Sequence, residues 1–410
     1  MAEHRALVKA LALDEIDVSQ PELFQDDTIG FYFERLRKEA PVHYCAESRY
    51  GPYWSITRYH DIMAVDKDHR RFSSEKGGIQ IVDFEEGLER VNFINMDPPA
   101  HDDKRKVVSP IVAPTNLAKL QHTIRENVVD ILDNLPRNED FDWVDLVSIE
   151  LTTRMLATLF DFPHEERRKL TWWSEVATMD LASGGGIETE EQRIAELGEC
   201  LATFTGMLEE RAKAPPRSDL ISMLAHSDMK DMSPQEFLGT LILLIVGGND
   251  TTRNSISGGL LALKENPEEL AKLKMKPDLV QSLVPEIIRW QTPLTSMRRT
   301  TTEPVNIAGV EIPEGEKIIM WYLSGNRDDT AIPDANSFVV DRTHPRRHLS
   351  FGFGIHRCVG NRLAEMQLSI LWDEILKRGI DTALEITGDP QRTYSNAVRG
   401  FTHLPVRITA

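Results

Sequence analysis

The sequence predicts a mainly α fold, a large helical part with a small β-rich region. Three observations predict it. The stretch SPQEFLGTLILLIVGGNDTTRNSISGGLLALKENP stays apolar for many turns between two helix-boundary signals. PDLVQSLVPEIIRWQTP and NRLAEMQLSILWDEILKRG also carry apolar residues at helical spacing. Strand-like alternation is short and lies toward the ends of the chain.

Taken in order, GPYWSITRY (51–59) alternates and follows a Gly-Pro turn signal, so it predicts a strand. GGG at 184–186, before IETEEQRIAE, is the best candidate for a mobile loop. The long helix starts at Ser233-Pro234, with Glu236 three residues after Ser233, a capping-box start with proline at the first helical position. It stops at Asn266-Pro267. Being apolar nearly all round, it is expected to cross the middle of the fold. A second helix is predicted over 277–293. PVNIAGVEIPEGEKIIMWYL (304–323) alternates around Ala-Gly and Pro-Glu-Gly turns. The segment 342–358 is long and irregular, a class of segment that is uncommon and often functional. In 361–379, Ala364, Leu368, Leu371 and Ile375 share a face, and Gly379 is placed to cap the end. FTHLPVRI (401–408) predicts a last strand.

Composition excludes some functions. The 410 residues carry a formal net charge of −18, with 41% hydrophobic and 27% charged residues. Nucleic acid and anionic membranes require a cationic partner surface, so neither is expected. The start lacks signal-peptide architecture, and LILLIVGG (241–248) is far too short to span a bilayer. No membrane anchor is expected, and the cytoplasm is the default compartment. The 3 cysteines, Cys45, Cys200 and Cys358, form no CxxC and no disulfide framework.

FGFGIHRCVG (351–360) singles out Cys358. A buried small hydrophobe is the ordinary role of a free cysteine. Here, however, a helix starts at 361, and its N-terminal N–H groups would stabilise a thiolate. His356 and Arg357 would add positive potential. Gly352, Gly354 and Gly360 would let a flat group lie against the backbone. Such a thiolate is a metal ligand or, with His356 as base, the nucleophile of a hydrolase. GGNDTT (247–252) interrupts the apolar helix, and each glycine costs about 1 kcal/mol there. Leu243, Gly247, Asp250 and Thr251 fall on or near one face, offering an apolar contact, a gap, a carboxylate and a hydroxyl. A close helix crossing with a locally bonded polar turn is the alternative. Glu286 and Arg289, spaced for an ion pair, with Arg342 as third member, are expected to be structural. His101, Arg105, Arg299 and His356 are scattered cations that make joint sense around a dianionic ligand.

In this chain FGFGIHRCVG fits the haem-ligand signature of the cytochrome P450 haem-thiolate monooxygenases. GGNDTT resembles that family's oxygen-activating motif, EIIR its E-x-x-R, and FVVDR its meander arginine. MDPPAHDDKR is similar to its propionate-binding stretch. The resemblance runs in family order from about residue 30 to the end. It implies an N-terminal extension (1–30) and a single domain (31–410) holding haem b. Cys358 would be the axial metal ligand. His101, Arg105, Arg299 and His356 would meet the propionates, and Gly247, Phe351, Gly352 and Gly360 would line the haem. Asp250 and Thr251 would deliver protons. Longer stretches, such as LIVGGNDTTRNS and VPEIIRWQTPLTSMRRT, resemble the bacterial soluble alkane and fatty-acid terminal hydroxylases. That implies linear aliphatic substrates met by Ile79, Ile81, Val82, Leu243, Val246, Gly247, Leu294, Thr295, Met297 and Val398. It also implies a monomer fed by a separate ferredoxin and ferredoxin reductase. That partner would dock near Arg346, Arg347, Arg357 and Lys104–Lys106. A terpene-like substrate, a peroxide-driven peroxygenase and a non-catalytic haem sensor are the alternatives on the same fold.

Overall fold

The computed structural model describes residues 2–83, 91–181, 184–229 and 232–409, with side chains from residue 4. The predicted central helix runs over Pro234–Glu265. Ser233 caps it by accepting from the Glu236 N–H at 3.2 Å. The reciprocal half of the capping box does not form, because the Glu236 carboxylate pairs with Lys104 at 2.6 Å. The helix packs on Arg168–Thr178, Glu150–Phe160, Val280–Gln291 and Asn361–Lys377, which explains its all-round apolar character.

Its length divides the core. The C-terminal half joins Ile256, Leu260 and Leu263 to Trp143, Leu151, Leu283, Ile287, Leu371 and Trp372. The N-terminal half joins Leu241 and Ile245 to Leu156, Phe160, Trp173 and Phe204. Both clusters bury large apolar side chains at roughly 25 cal/mol per Å², and so hold the helix as a rigid axis.

The β-rich region is a five-stranded sheet in the order Val42–Cys45, Tyr53–Ile56, Lys317–Met320, Met297–Thr301, Phe72–Ser73. Tyr53–Ile56 and Lys317–Met320 run parallel, with Trp54 opposite Ile318; the other pairs are antiparallel. The strand Met297–Thr301 was not expected, because SMRRT offers charge rather than alternation. Residues 13–30 are not detached from the rest. Ile16, Val18 and Phe24 are buried with Trp321 and Leu323. Asn396 also donates to the Ser19 carbonyl at 2.6 Å. The segment 342–358 is irregular as predicted, apart from one turn at Gly354–His356. Gly379 ends the helix Asn361–Lys377 with φ +64. Among the described residues, no helix is long and apolar enough to cross a membrane.

Candidate functional site

The loop Phe351–Gly360 is folded by two constraints. The Cys358 N–H donates to the Phe351 carbonyl at 2.8 Å, which closes the loop on itself. Gly352 and Gly354 each adopt φ +65, where a side chain would be strained. A Cβ on Gly354 would also lie 2.5 Å from the Asp66 carbonyl oxygen. These two glycines therefore let the loop press on the end of the helix Tyr59–Lys67, a role the sequence did not reveal. Gly360 differs: a Cβ there would meet only the Cys358 sulfur, at 4.0 Å. That face of the loop is open, as a flat ligand requires.

Cys358 is exposed. Desolvation pushes its thiol up. The N–H groups of Gly360 and Asn361 and the charges of Arg105 and Arg357 oppose that shift. These donors and cations favour the thiolate, the form of cysteine that ligates a metal. Cys45 and Cys200 are buried, and burial pushes their thiols to about 11 and about 12. They are inert packing groups.

Beside the loop, the His101 and His356 rings stand edge to face, 4.5 Å between centroids. His101 Nδ1 is 2.8 Å from Asp102, and His356 Nε2 is 3.0 Å from the Ser74 hydroxyl. The other nitrogens, His101 Nε2 and His356 Nδ1, are buried with no partner. Two buried ring nitrogens side by side, neither with a protein partner, suit the polar carboxylate edge of a haem, so the residues present fit that cofactor. Ser74 was missed in the sequence, where a serine after a strand carries no signal.

The structure adds three details to this group. His356 is not a cation: burial, then Arg299, His101 and Arg105, hold it neutral, with a pKa of about 2. Arg299 is not a solitary charge awaiting an anion; it is fully buried in a 2.8 Å ion pair with Asp66. Arg105 is turned to the cysteine loop, donating to the Arg357 carbonyl.

The turn Gly247–Thr251 lies inside the continuous central helix. A Cβ on Gly247 would meet nothing within 4 Å, whereas one on Gly248 would lie 2.8 Å from Leu156 Cδ2. Gly247 opens space; Gly248 permits a helix crossing. Between Asn249 and Leu263 every residue is buried except Thr251, whose hydroxyl donates to the Gly247 carbonyl at 2.9 Å. Asp250 does not share that face. Its carboxylate accepts from Ser174 at 3.1 Å and Thr178 at 3.4 Å and pairs with Arg253 at 3.2 Å. One residue step is about 100° of helix rotation, enough to aim Asp250 at Arg168–Thr178 while Thr251 faces the open side.

Among the proposed substrate contacts, Leu243 and Val246 are partly buried on the apolar cluster that includes Phe93. Leu294 and Val398 pair across an isolated bridge. Met297, Ile79 and Gln80 are half-buried, and the Ile79 carbonyl accepts from the Arg298 N–H at 2.8 Å. Two residues are corrected. Thr295 is completely buried, its hydroxyl donating to the Asn396 carbonyl, so it ties chain segments together. Ile81 packs with Phe24 and Trp321 in the N-terminal cluster. Val82 is exposed. Glu286, Arg289 and Arg342 form the expected triad, with Glu286 and Arg289 wholly buried.

An exposed cysteine at a helix start, two buried ring nitrogens without partners and a glycine-opened turn in the central helix suit a haem-thiolate monooxygenase. The comparisons agree. The family model for cytochrome P450 matches residues 191–378. Linalool 8-monooxygenase of Pseudomonas putida is 34% identical over 96% of this chain and 99% of its own length. Two solved structures are also similar. Cytochrome P450-153 from Novosphingobium aromaticivorans is 42% identical, with TM-score 0.88, over 95% of this chain and 98% of its own. CYP153D17 from Sphingomonas sp. PAMC 26605 is 44% identical, with TM-score 0.91, over 97% and 100%. The chain belongs to the cytochrome P450 family, whose cofactor is haem.

Proposed function

We propose that this cytochrome P450 hydroxylates linear aliphatic chains, alkanes or fatty acids, at or near the terminal carbon. The observation that carries this reading is the apolar character of the proposed lining. Leu243, Val246, Leu294, Met297 and Val398 supply hydrocarbon surface and no charge, as an alkyl site needs. The likeness to the two P450-153 structures, which covers nearly the whole chain, supports it.

Haem, when bound to Cys358, would supply oxygen activation, with thiolate electron density favouring O–O cleavage. The protein's own residues would do the rest. His101 and His356 would orient the cofactor through their free ring nitrogens. Thr251, its hydroxyl proton held by the Gly247 carbonyl, would release that bond to offer the proton to the open side of the helix. Asp250 would restore that proton from the Ser174–Thr178 side, a general-acid relay. Terminal C–H bonds are stronger than internal ones, so a terminal preference must come from placement. Leu243, Val246 and Leu294 are the candidates that confine the chain to end-on approach.

Electrons would come from a separate ferredoxin and its reductase, acting on a cytoplasmic monomer. Exposed Arg346, Arg347, Arg357 and Lys106 support docking on the cysteine side. Lys104 contributes less, being held by Glu236.

The test is gas chromatography of products from a ladder of alkanes and fatty acids, with ferredoxin, reductase and NAD(P)H. Affinity is expected to rise by about 0.8 kcal/mol per buried methylene and then fall sharply. Trimming Leu294→Ala should move oxidation inward. A second reading, a terpene-like substrate, is favoured by the likeness to linalool 8-monooxygenase. Efficient terpene turnover, with only scattered internal alcohols from every linear chain, would establish it instead. Turnover with peroxide alone would indicate a peroxygenase, and no turnover in either system a sensor.

A further inference from the structure

One buried carboxylate has no place in the mechanism above. Asp66, near the end of the helix Tyr59–Lys67, is 3% exposed. Its Oδ1 accepts from Arg299 at 2.8 Å. Its Oδ2 accepts from the Tyr322 hydroxyl at 2.9 Å and from the Phe353 N–H at 2.8 Å. Three elements distant in sequence thus converge on one side chain: the strand Met297–Thr301, the short helix Tyr322–Gly325 and the cysteine loop. Those three donors, one of them a guanidinium, meet the hydrogen-bonding needs of a carboxylate in the interior.

We infer that Asp66 is a positioning residue for the haem-thiolate centre, acting in two separable ways. The first is geometric. Asp66 fixes the Phe353 N–H, and its own carbonyl lies under Gly354. Phe351, two residues before Phe353, then offers its carbonyl to the Cys358 N–H. Asp66 therefore sets the turn from which the sulfur is aimed. The second is electrostatic. Arg299 is the cation that the sequence assigns to the cofactor's carboxylates, and the structure pairs it with Asp66, both side chains 1% exposed. Asp66 cancels most of that charge at the edge of the cofactor site. Low local polarisability makes such a buried charge felt over several ångströms.

Two substitutions separate these effects. Asp66→Asn keeps an oxygen acceptor for Phe353 but removes the charge. It should retain the long-wavelength Soret band of the reduced, carbon-monoxide-bound protein. Its haem reduction potential should move positive, because an uncompensated Arg299 favours the added electron. Adding Arg299→Met to Asp66→Asn should bring the potential back toward wild type. Asp66→Ala removes the acceptor as well. It should convert several-fold faster to the short-wavelength carbon-monoxide form in mild urea, and lose haem faster to apomyoglobin. A potential unchanged in Asp66→Asn overturns the electrostatic role, even if Asp66→Ala proves too unstable to isolate. An unchanged band, conversion rate and haem loss in Asp66→Ala, with only a lower melting temperature, overturns the geometric one.

Discussion

Thr251 and Cys358 show how much one side chain's surroundings decide. Thr251 is the one residue of its stretch that opens from a buried helix face, and its hydroxyl is anchored to its own helix at Gly247. Such a group can pass a proton without contributing to substrate binding. Thr251→Ala should leave substrate affinity near wild type, while NAD(P)H consumption yields more peroxide and less product. Fully coupled turnover in that variant would remove Thr251 from the relay. Cys358 is the exposed cysteine, with two backbone N–H groups on its sulfur and the charges of Arg105 and Arg357 felt there; Cys45 and Cys200 are buried. Cys358→Ala should lose haem or the red-shifted carbon-monoxide band, measured by difference spectroscopy. Cys45→Ser and Cys200→Ala should keep that band, since neither borders the site.

Elements are held in register by buried polar knots. Glu286 accepts from Arg289 at 2.7 Å twice, from Arg342 at 3.0 Å and from the Val339 N–H at 2.8 Å. Arg289 in turn donates to the carbonyls of Asn326, Ala335 and Ser337. The helix Val280–Gln291 is thereby stapled to the irregular stretch that leads into the cysteine loop. Burial pushes the Glu286 carboxyl up, but the two guanidiniums outweigh it and hold it below its ordinary range. Removing one member strands buried charge. Glu286→Ala should therefore destabilise the protein by about 3–5 kcal/mol, read as a shift in the denaturation midpoint. A loss within about 0.5 kcal/mol, the range for ordinary surface changes, would show the knot to be dispensable.

At the scale of the molecule, the N-terminal segment is tied to the far end of the chain. Asp27 pairs with Arg392 at 2.9 Å and Arg399 at 2.8 Å. Burial pushes its carboxyl up, but Arg399 and Arg392 more than offset this and hold it at about 2. A carboxylate depressed on folding stabilises above its unfolded pKa, about 3.9, and that contribution is lost as pH falls toward the folded value. Because Asp27 is 41% exposed, solvent screens the pair and salt weakens it. Asp27→Asn should lower the melting temperature at neutral pH in low salt, and the gap should narrow below pH ~4 and in high salt. A gap independent of both would mean the tether acts through packing alone.

The sequence by itself singled out Cys358, the glycine-opened central helix and the Glu286–Arg289 pair. Each is local: a ligand beside a helix start, glycines inside an apolar run, an acid and a base three residues apart. Periodicity can say that Gly247 and Thr251 share a face, because helix geometry repeats along one element. It does not say what packs against the next face, so only the tertiary structure turned Asp250 toward Ser174, Thr178 and Arg253. The same reason withdrew Thr295 and Ile81 from the substrate site, since Asn396, Phe24 and Trp321 are distant in sequence. It also gave Arg299 to Asp66, 233 positions away. Buried charges take the partner that the fold brings within hydrogen-bond reach, and no spacing along a chain encodes that meeting.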